Sequence, residues 1–242
     1  MTADTPAQRI LVAIPAHNEQ QLLGRALRAV LRSATELRRH RPVRVAIGVA
    51  AHRCSDDTFA LAADILTDAE DIEAVVVRDR TSGSVGEVRR RLISQLAGWR
   101  LLPTETWILS TDADSVVPRD WMTSMIAIAE RESAVAVAGM TELVDWSASR
   151  QARAAYQAII AAGLSADGGH GHVYAANLAV RLDAYLAAGG FPDAESAEEH
   201  ALVRAIRADG GIVATPRAPK VRTSGRIPGR AAHGLANLLA TL

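Results

Sequence analysis

The sequence has almost no cysteine, no excess of one charge and no long apolar run. Cys54 is the only cysteine, which excludes an internal disulfide and a zinc site built from cysteines. Lysine and arginine number 27, as do aspartate and glutamate, so nucleic acid and anionic membrane are not expected partners. No uncharged stretch is long enough to span a bilayer, and residues 1–9 lack the apolar core of a signal peptide. We therefore expect a cytoplasmic protein without integral membrane contact that binds a small molecule.

Short β-branched runs alternate with longer segments of helical periodicity, a pattern typical of βα units around a mostly parallel sheet. In the first half the pattern predicts strands at residues 10–15, 43–50, 73–77 and 106–110, with helices at 21–38, 56–66 and 85–99. In the second half it predicts a helix beyond Trp121, strands at 134–140 and 174–180, and helices beginning at Ser147 and Glu198.

The 242 residues, about half of them apolar, can bury one sizeable core. We expect a single α/β domain, with a nucleotide-binding half over about residues 8–118 and an acceptor-side half over about 119–242. The segment 231–242 has leucines at helical spacing, which indicates packing on the domain or on a second subunit in a homodimer.

Polar clusters follow four of the predicted elements, at residues 15–19, 52–58, 111–115 and 197–202. In open α/β sheets, ligands collect at the carboxyl ends of the strands. Each cluster alone can also be explained by turns and helix caps, because Asp, Asn, Ser and Gly favour both.

Taken together, these segments resemble the family 2 glycosyltransferases of the GT-A fold over nearly the whole chain. The matching motifs are Ile14-Pro15-Ala16-His17-Asn18-Glu19, Ser55–Thr58, Asp112-Ala113-Asp114, Gly190-Phe191 followed by Glu198-Glu199-His200-Ala201-Leu202, and Thr223-Ser224-Gly225-Arg226. The family usually has Asp as the second acid of the pair at which this chain has Glu199. The resemblance implies a GT-A (Rossmann-like) fold and inverting transfer of a sugar from a UDP- or GDP-linked donor to an acceptor hydroxyl.

Asp112 and Asp114 are the candidate metal-binding residues. Carboxylates one residue apart at a strand end can ligate a hard cation such as Mn²⁺ or Mg²⁺, which neutralises a leaving diphosphate. The resemblance implies that Asp114 is the direct ligand, while Asp112 contacts the ribose or a metal-bound water. His233 is a further candidate ligand. The structural alternative is that both aspartates end a strand and cap the helix near Pro118.

The resemblance also implies which residues bind the donor. Those expected to line the nucleotide pocket are Pro15, Ala16, His17, Asn18 and Glu19. Asp57 is expected to accept a hydrogen bond from a uracil imide, and Arg89 to reach the nucleotide. The alternatives are that Ser55 and Asp56 only cap a helix, and that the adjacent arginines around Arg89 form a solvated face.

Glu198 and Glu199 are the candidate general bases for the acceptor hydroxyl. Adjacent residues on a helix diverge by about 100°, so only one can point into a cleft. The family match favours Glu199, and His200 is expected to orient the pair. His170 and His172 lie in the glycine cluster 168–171, the best candidate for a mobile loop.

Two other functions fit parts of the sequence. A sugar-nucleotide nucleotidyltransferase would share the nucleotide-binding half and the metal, but its first strand normally leads into a Gly-rich triphosphate loop, which residues 15–19 are not. A non-catalytic nucleotide-sugar-binding protein would not require both acidic pairs. The sequence does not identify the donor sugar or the acceptor.

Overall fold

The computed structural model describes residues 8–69, 71–98, 102–194, 196–227 and 235–242. Ten strands within these ranges form two sheets. The strands are β1 (Gln8–Ala16), β2 (Val43–His52), β3 (Glu73–Asp79), β4 (Thr106–Ser110), β5 (Ser115–Val116), β6 (Ala136–Ala138), β7 (Thr141–Val144), β8 (Leu178–Arg181), β9 (Val213–Ala214) and β10 (Val221–Ser224).

The described ranges contain eight α-helices. They are α1 (Leu23–His40), α2 (Thr58–Thr67), α3 (Val85–Ala97), α4 (Trp121–Arg131), α5 (Arg150–Ala162), α6 (Leu182–Ala187), α7 (Glu198–Ala208) and α8 (Leu235–Ala240). All but α5 and α8 pack on the larger sheet. The α/β fold class predicted from the alternation is confirmed.

The larger sheet has seven strands in the order β3-β2-β1-β4-β8-β6-β9. Its pairs are parallel except for those of β8, which runs antiparallel to both β4 and β6. The chain leaves β1 in one direction through β2 and β3 and returns on the other side as β4. The carboxyl ends of β1 and β4 therefore meet at the point where the strand order reverses, which is where ligands bind in such sheets.

The two faces of β1 belong to two different apolar clusters. Ile10, Val12 and Ile14 pack with α1, α2 and α4, whereas Leu11 and Ala13 pack with α3, α6 and α7. All five side chains are fully buried. Burial on both faces explains why this strand is an unbroken apolar run.

The smaller sheet has the order β5-β10-β7 and lies beside the end of β4. Strand β10 pairs antiparallel with β5 and parallel with β7. It brings Thr223 opposite Ser115 and Leu143 in these two pairings. The closing segment of the chain therefore lies next to the residues that follow β4.

The four strands predicted in the first half are confirmed, and the second half requires corrections. The predicted strand 174–180 begins with a 3-10 turn, and only Leu178–Arg181 pairs. The buried amide of Asn177 causes this, because it donates to the carbonyls of Met140 (2.8 Å) and Pro219 (2.9 Å). The predicted strand 134–140 pairs only over Ala136–Ala138.

The Ala-rich helix α5 begins at Arg150, not at Ser147. Ser149 sets this start, since its hydroxyl accepts a hydrogen bond from the Ala152 backbone N–H at 3.0 Å. At the other end of the chain, Leu239 of α8 is buried in a third cluster with Trp146 and Ala152. Packing of this helix on the domain is confirmed, and a second-subunit contact stays a prediction.

No helix of the described ranges combines the length and the apolarity required to cross a membrane.

Candidate active site

The Asp112-Ala113-Asp114 segment forms a turn directly after β4. The Ser115 backbone N–H donates to the Asp112 carbonyl at 3.1 Å, and the Ala113 side chain is buried. Both carboxylates are partly accessible, Asp112 at 36% and Asp114 at 19%. The turn thus presents two acids at the reversal point of the sheet.

Arg89 connects this turn to the acidic pair on α7. Its guanidinium is 3% exposed and donates to Asp112 Oδ1 and Glu198 Oε1, both at 2.5 Å. Its Nε–H donates to Ser110 Oγ at 3.0 Å. The solvated arginine face considered for this residue is therefore wrong. Its contact with a nucleotide stays a prediction, and the guanidinium already serves three protein partners.

Close packing between α3 and the loop before α7 makes this arrangement possible. A Cβ at Gly86 would lie 2.2 Å from the Pro192 carbonyl oxygen and 3.3 Å from Glu198 Cβ. Ser84 caps α3 by accepting from the Glu87 backbone N–H at 3.2 Å, and its hydroxyl donates to Asp193 at 2.7 Å. The first turn of α3 is thereby held against the loop that begins α7.

A second arginine, Arg226, connects the closing segment to β1. It forms a bidentate pair with Glu19, in which Nη1 lies 2.7 Å from Oε2. Its Nη2 also lies 3.4 Å from Asp114 Oδ2. The sequence indicated Arg226 only as part of the closing motif, and no local pattern pairs residues that are 207 positions apart.

The electrostatic surroundings of Asp114 favour its protonated form. Burial and the neighbouring Asp112 charge raise the pKa of this carboxyl to about 7, with Arg226 opposing the shift. The hydroxyls of Ser115 (3.4 Å) and Thr223 (3.5 Å) lie near Oδ1. The acids at this edge are therefore incompletely neutralised by the protein.

Glu198 and Glu199 have different environments although they are adjacent. Helix α7 begins at Glu198, directly after Ala197 in the left-handed conformation (φ 58°). Glu198 is buried and paired with Arg89. Glu199 has no side-chain hydrogen bond to any residue within the described ranges, and burial together with the Glu198 charge raises its pKa to about 7. Arg89 opposes this shift and Asp112 adds to it.

The loops after β1 and β2 are bonded to each other. The His17 Nδ1–H donates to the His52 carbonyl at 2.7 Å, and Asn18 Oδ1 accepts from the Ser55 backbone N–H at 2.8 Å. The Glu19 backbone N–H donates to Thr58 Oγ1 at 2.7 Å. Residues 15–19 therefore have one fixed course beside the second-strand loop.

Of the two residues predicted to cap α2, Asp56 is confirmed and Ser55 is not. The N-cap residue is Asp57, whose side chain makes no cap bond and is exposed. Asp56 satisfies the helix start instead, because its Oδ1 accepts from the Thr58 backbone N–H at 3.1 Å. Ser55 is not the cap, since it bonds Asn18. The uracil contact of Asp57 stays a prediction.

His170 and His172, which lie outside these loops, are bonded to backbone carbonyls. His170 is buried with Nε2 3.1 Å from the Pro216 carbonyl, and His172 Nε2 lies 3.0 Å from the Ile160 carbonyl. These hydrogen bonds attach the glycine cluster 168–171, which was expected to be a mobile loop, to the neighbouring backbone. Burial lowers the pKa of His200. The candidate ligand His233 lies outside the described residues.

Removing Arg89 should destabilise the fold strongly. Arg89→Met would leave the carboxylates of Glu198 and Asp112 without their cation, and such a loss at a buried pair costs about 3–5 kcal/mol. Urea unfolding should show a lower midpoint with an unchanged slope. The control is Arg91→Met, whose side chain is 49% exposed and whose loss should cost under about 1 kcal/mol. Equal losses in both variants would contradict the role of Arg89.

Comparison with known proteins agrees with this fold. Residues 6–215 match the family described as Glycosyltransferase like family 2. The chain therefore belongs to this family, and the resemblance drawn from its motifs is confirmed. No curated protein sequence matches the chain.

Two solved structures have a fold similar to that of this chain. S. aureus TarS 1-349 in complex with UDP-GlcNAc has a TM-score of 0.64 at 11% identity, over 93% of this chain and 61% of that one. The mannosyltransferase PcManGT from Pyrobaculum calidifontis, in complex with GDP-Man and Mn²⁺, has a TM-score of 0.70 at 16% identity, over 93% and 59%. The chain spans about three fifths of the length of each.

Proposed function

We propose that the protein transfers a sugar from a nucleotide diphosphate donor to an acceptor hydroxyl, with inversion at the anomeric carbon. The observation that carries this proposal is the convergence of two acidic pairs at the reversal point of the sheet. Asp112 and Asp114 come from the turn after β4, and Arg89 links Asp112 to Glu198 at the start of α7. Family membership supports the reaction class.

The acids after β4 fit a divalent cation. Burial and the Asp112 charge raise the pKa of Asp114. A bound cation would offset the repulsion between the two carboxylates. Asp112 uses Oδ1 for Arg89 and retains Oδ2. Within the described ranges no set of three His, Cys, Asp or Glu residues could hold a metal, so diphosphate oxygens and water would complete the coordination. When bound, Mn²⁺ or Mg²⁺ supplies Lewis-acid stabilisation of the departing diphosphate.

Glu199 is the proposed general base. Its neighbour Glu198 already accepts from Arg89, whereas Glu199 makes no competing side-chain bond within the described ranges. A carboxylate whose pKa is near 7 can take the hydroxyl proton as the new glycosidic bond forms. The proton then resides on Glu199, and the negative charge leaves on the diphosphate.

The donor would lie along residues 15–19. The fixed course of this segment provides backbone and side-chain groups at the end of β1, and Glu19 links it through Arg226 to Asp114. The proposal keeps Asp57 as the contact to a uracil imide, because its carboxylate is exposed at the start of α2. Among the described residues, no feature of the site favours the nucleotidyltransferase or the non-catalytic binding protein.

Donor hydrolysis tests the proposed reaction. We expect one nucleotide sugar of a UDP- and GDP-linked panel to be hydrolysed slowly with Mn²⁺ and not with EDTA, because water substitutes for the acceptor. Release of nucleoside diphosphate is the measurement. A chain that gains thermal stability from nucleoside diphosphate plus Mn²⁺ but hydrolyses and transfers no donor would be a binding protein.

A further inference from the structure

A cleft of about 770 Å³ lies between β7 and α5, outside the acidic site. Its size falls within the range of small-molecule sites. Apolar and aromatic side chains form much of its lining, among them Leu143, Trp146, Tyr156 and Ile160.

Helix α5 covers the cleft without filling it. Tyr156 and Ile160 lie on one face of the helix and line the cleft, as does Leu164 just beyond the helix end. Only Ala152 of this helix is buried, although the helix has 13 residues. An apolar helix face that borders open space instead of a core is available to a ligand.

Trp146 provides a specific polar group in this lining. The residue is 7% exposed, and its indole N–H is buried without a hydrogen-bond partner among the residues that the structure describes. Tyr156 lies edge-on to the indole, with ring centroids 5.6 Å apart. A buried donor without an acceptor is costly, so an oxygen atom of a ligand would stabilise this position.

The charges around the cleft balance. Two carboxylates, Glu142 and Asp145, and two cations, Arg153 and Lys220, line it. The Arg153 guanidinium donates to the backbone carbonyls of Trp146 (2.5 Å) and Ala148 (3.3 Å). A lining with equal numbers of both charges favours an uncharged ligand that offers hydroxyls to both.

The cleft is connected to the acidic site through β10. The Gly225 backbone N–H donates to the Val144 carbonyl at 2.8 Å, and a Cβ at Gly225 would lie 2.4 Å from Trp146 Cβ. The next residue is Arg226, which contacts Glu19 and Asp114. Trp146 therefore supports the segment that holds the acids.

We propose that this cleft binds an uncharged amphiphile with a polyhydroxylated part and an apolar part. The apolar part lies along Tyr156, Ile160 and Leu164. A hydroxyl or ether oxygen accepts from the Trp146 N–H. This binding is independent of the proposed sugar transfer.

The experiment titrates the full chain, labelled with ¹⁵N at tryptophan, with octyl β-D-glucoside below its micellar concentration. Trp146→Phe identifies the Trp146 indole resonance. We expect saturable movement of this resonance, without donor or metal. Methyl β-D-glucoside, which lacks the apolar part, should move it at least tenfold less at equal concentration. Octyl sulfate, which has the same tail and a charged head, should bind more weakly than octyl glucoside.

Adjacent isoleucines on α5 provide a matched pair of variants. Ile160→Ser changes the lining and should weaken octyl glucoside binding about tenfold. Ile159→Ser changes a side chain that is 39% exposed and does not line the cleft, so affinity should be unchanged. An unmoved Trp146 resonance, or equal effects of the two variants, would overturn the inference. Donor hydrolysis measured on the same samples distinguishes the proposals, because a chain that hydrolyses donor without this binding refutes only the cleft.

Discussion

Asp114→Asn is expected to lower donor turnover by about 10²–10³-fold, the loss typical of removing one electrostatic stabiliser of a leaving group. The amide has nearly the same volume but carries no charge for the cation. The amide oxygen can still accept a hydrogen bond from Arg226, although it carries no charge. The fold should therefore survive. The measurement is the rate of nucleoside diphosphate release at saturating Mn²⁺.

Cation binding gives a second measurement for the same variant. The wild-type chain should be stabilised by Mn²⁺ plus nucleoside diphosphate, and Asp114→Asn should lose most of that stabilisation. Asp64→Asn, an exposed aspartate on α2, is the control and should behave as wild type. Asp112→Ala should reduce turnover less, although the loss of its pair with Arg89 should also lower stability. Full activity of Asp114→Asn in EDTA would refute the metal-dependent mechanism.

Glu199→Gln should lower the transfer rate by about 10²–10⁴-fold while donor and metal still bind. Glutamine keeps the size of the side chain but cannot accept the acceptor proton. Glu198→Gln should instead destabilise the fold, because Glu198 is the buried partner of Arg89. Glu199→Asp keeps a carboxylate on a side chain one methylene shorter and should retain part of the activity. Normal transfer by Glu199→Gln would refute its assignment as base.

The pH dependence follows from the same carboxyl group. The base is active only when deprotonated, and burial and Glu198 raise the pKa of Glu199 to about 7, with Asp112 adding to the shift and Arg89 opposing it. The transfer rate at saturating Mn²⁺ should therefore rise as pH increases through about 7 and level off above it. Glu199→Gln should lack this rise in its residual activity. Thermal unfolding at each pH separates loss of rate from loss of fold.

The elements of the first half were predictable because burial there dictates composition. Strand β1 is apolar on both faces, and α1 has one apolar stripe, so periodicity was sufficient. The reversed direction of β8 was not predictable, since strand composition does not encode pairing direction. The prediction that this strand begins at Tyr174 was wrong, because Asn177 makes tertiary hydrogen bonds to Met140 and Pro219.

Part of the candidate site was predictable for a similar reason. Acids at strand ends and the adjacent Glu pair are visible as local sequence patterns. The family resemblance then assigned a role to each of them. The burial of Arg89 was not predictable, because three consecutive arginines normally indicate a solvated helix face. Only its tertiary contacts with Ser110 and Glu198 show that it is buried. The environments of Glu198 and Glu199 depend likewise on Arg89, which lies 109 positions from Glu198.

The two arginines also bear on how the chain can be divided. Arg89 belongs to the first half and pairs with Glu198 of the second, whereas Arg226 of the second half pairs with Glu19 of the first. A cut near residue 118 would separate Glu198 from Arg89 and Glu19 from Arg226, although Arg89 would keep Asp112 on its own fragment. Neither fragment could bury its share without an uncompensated charge. Each half supplies a cation to an acid of the other, so we expect that neither half folds alone.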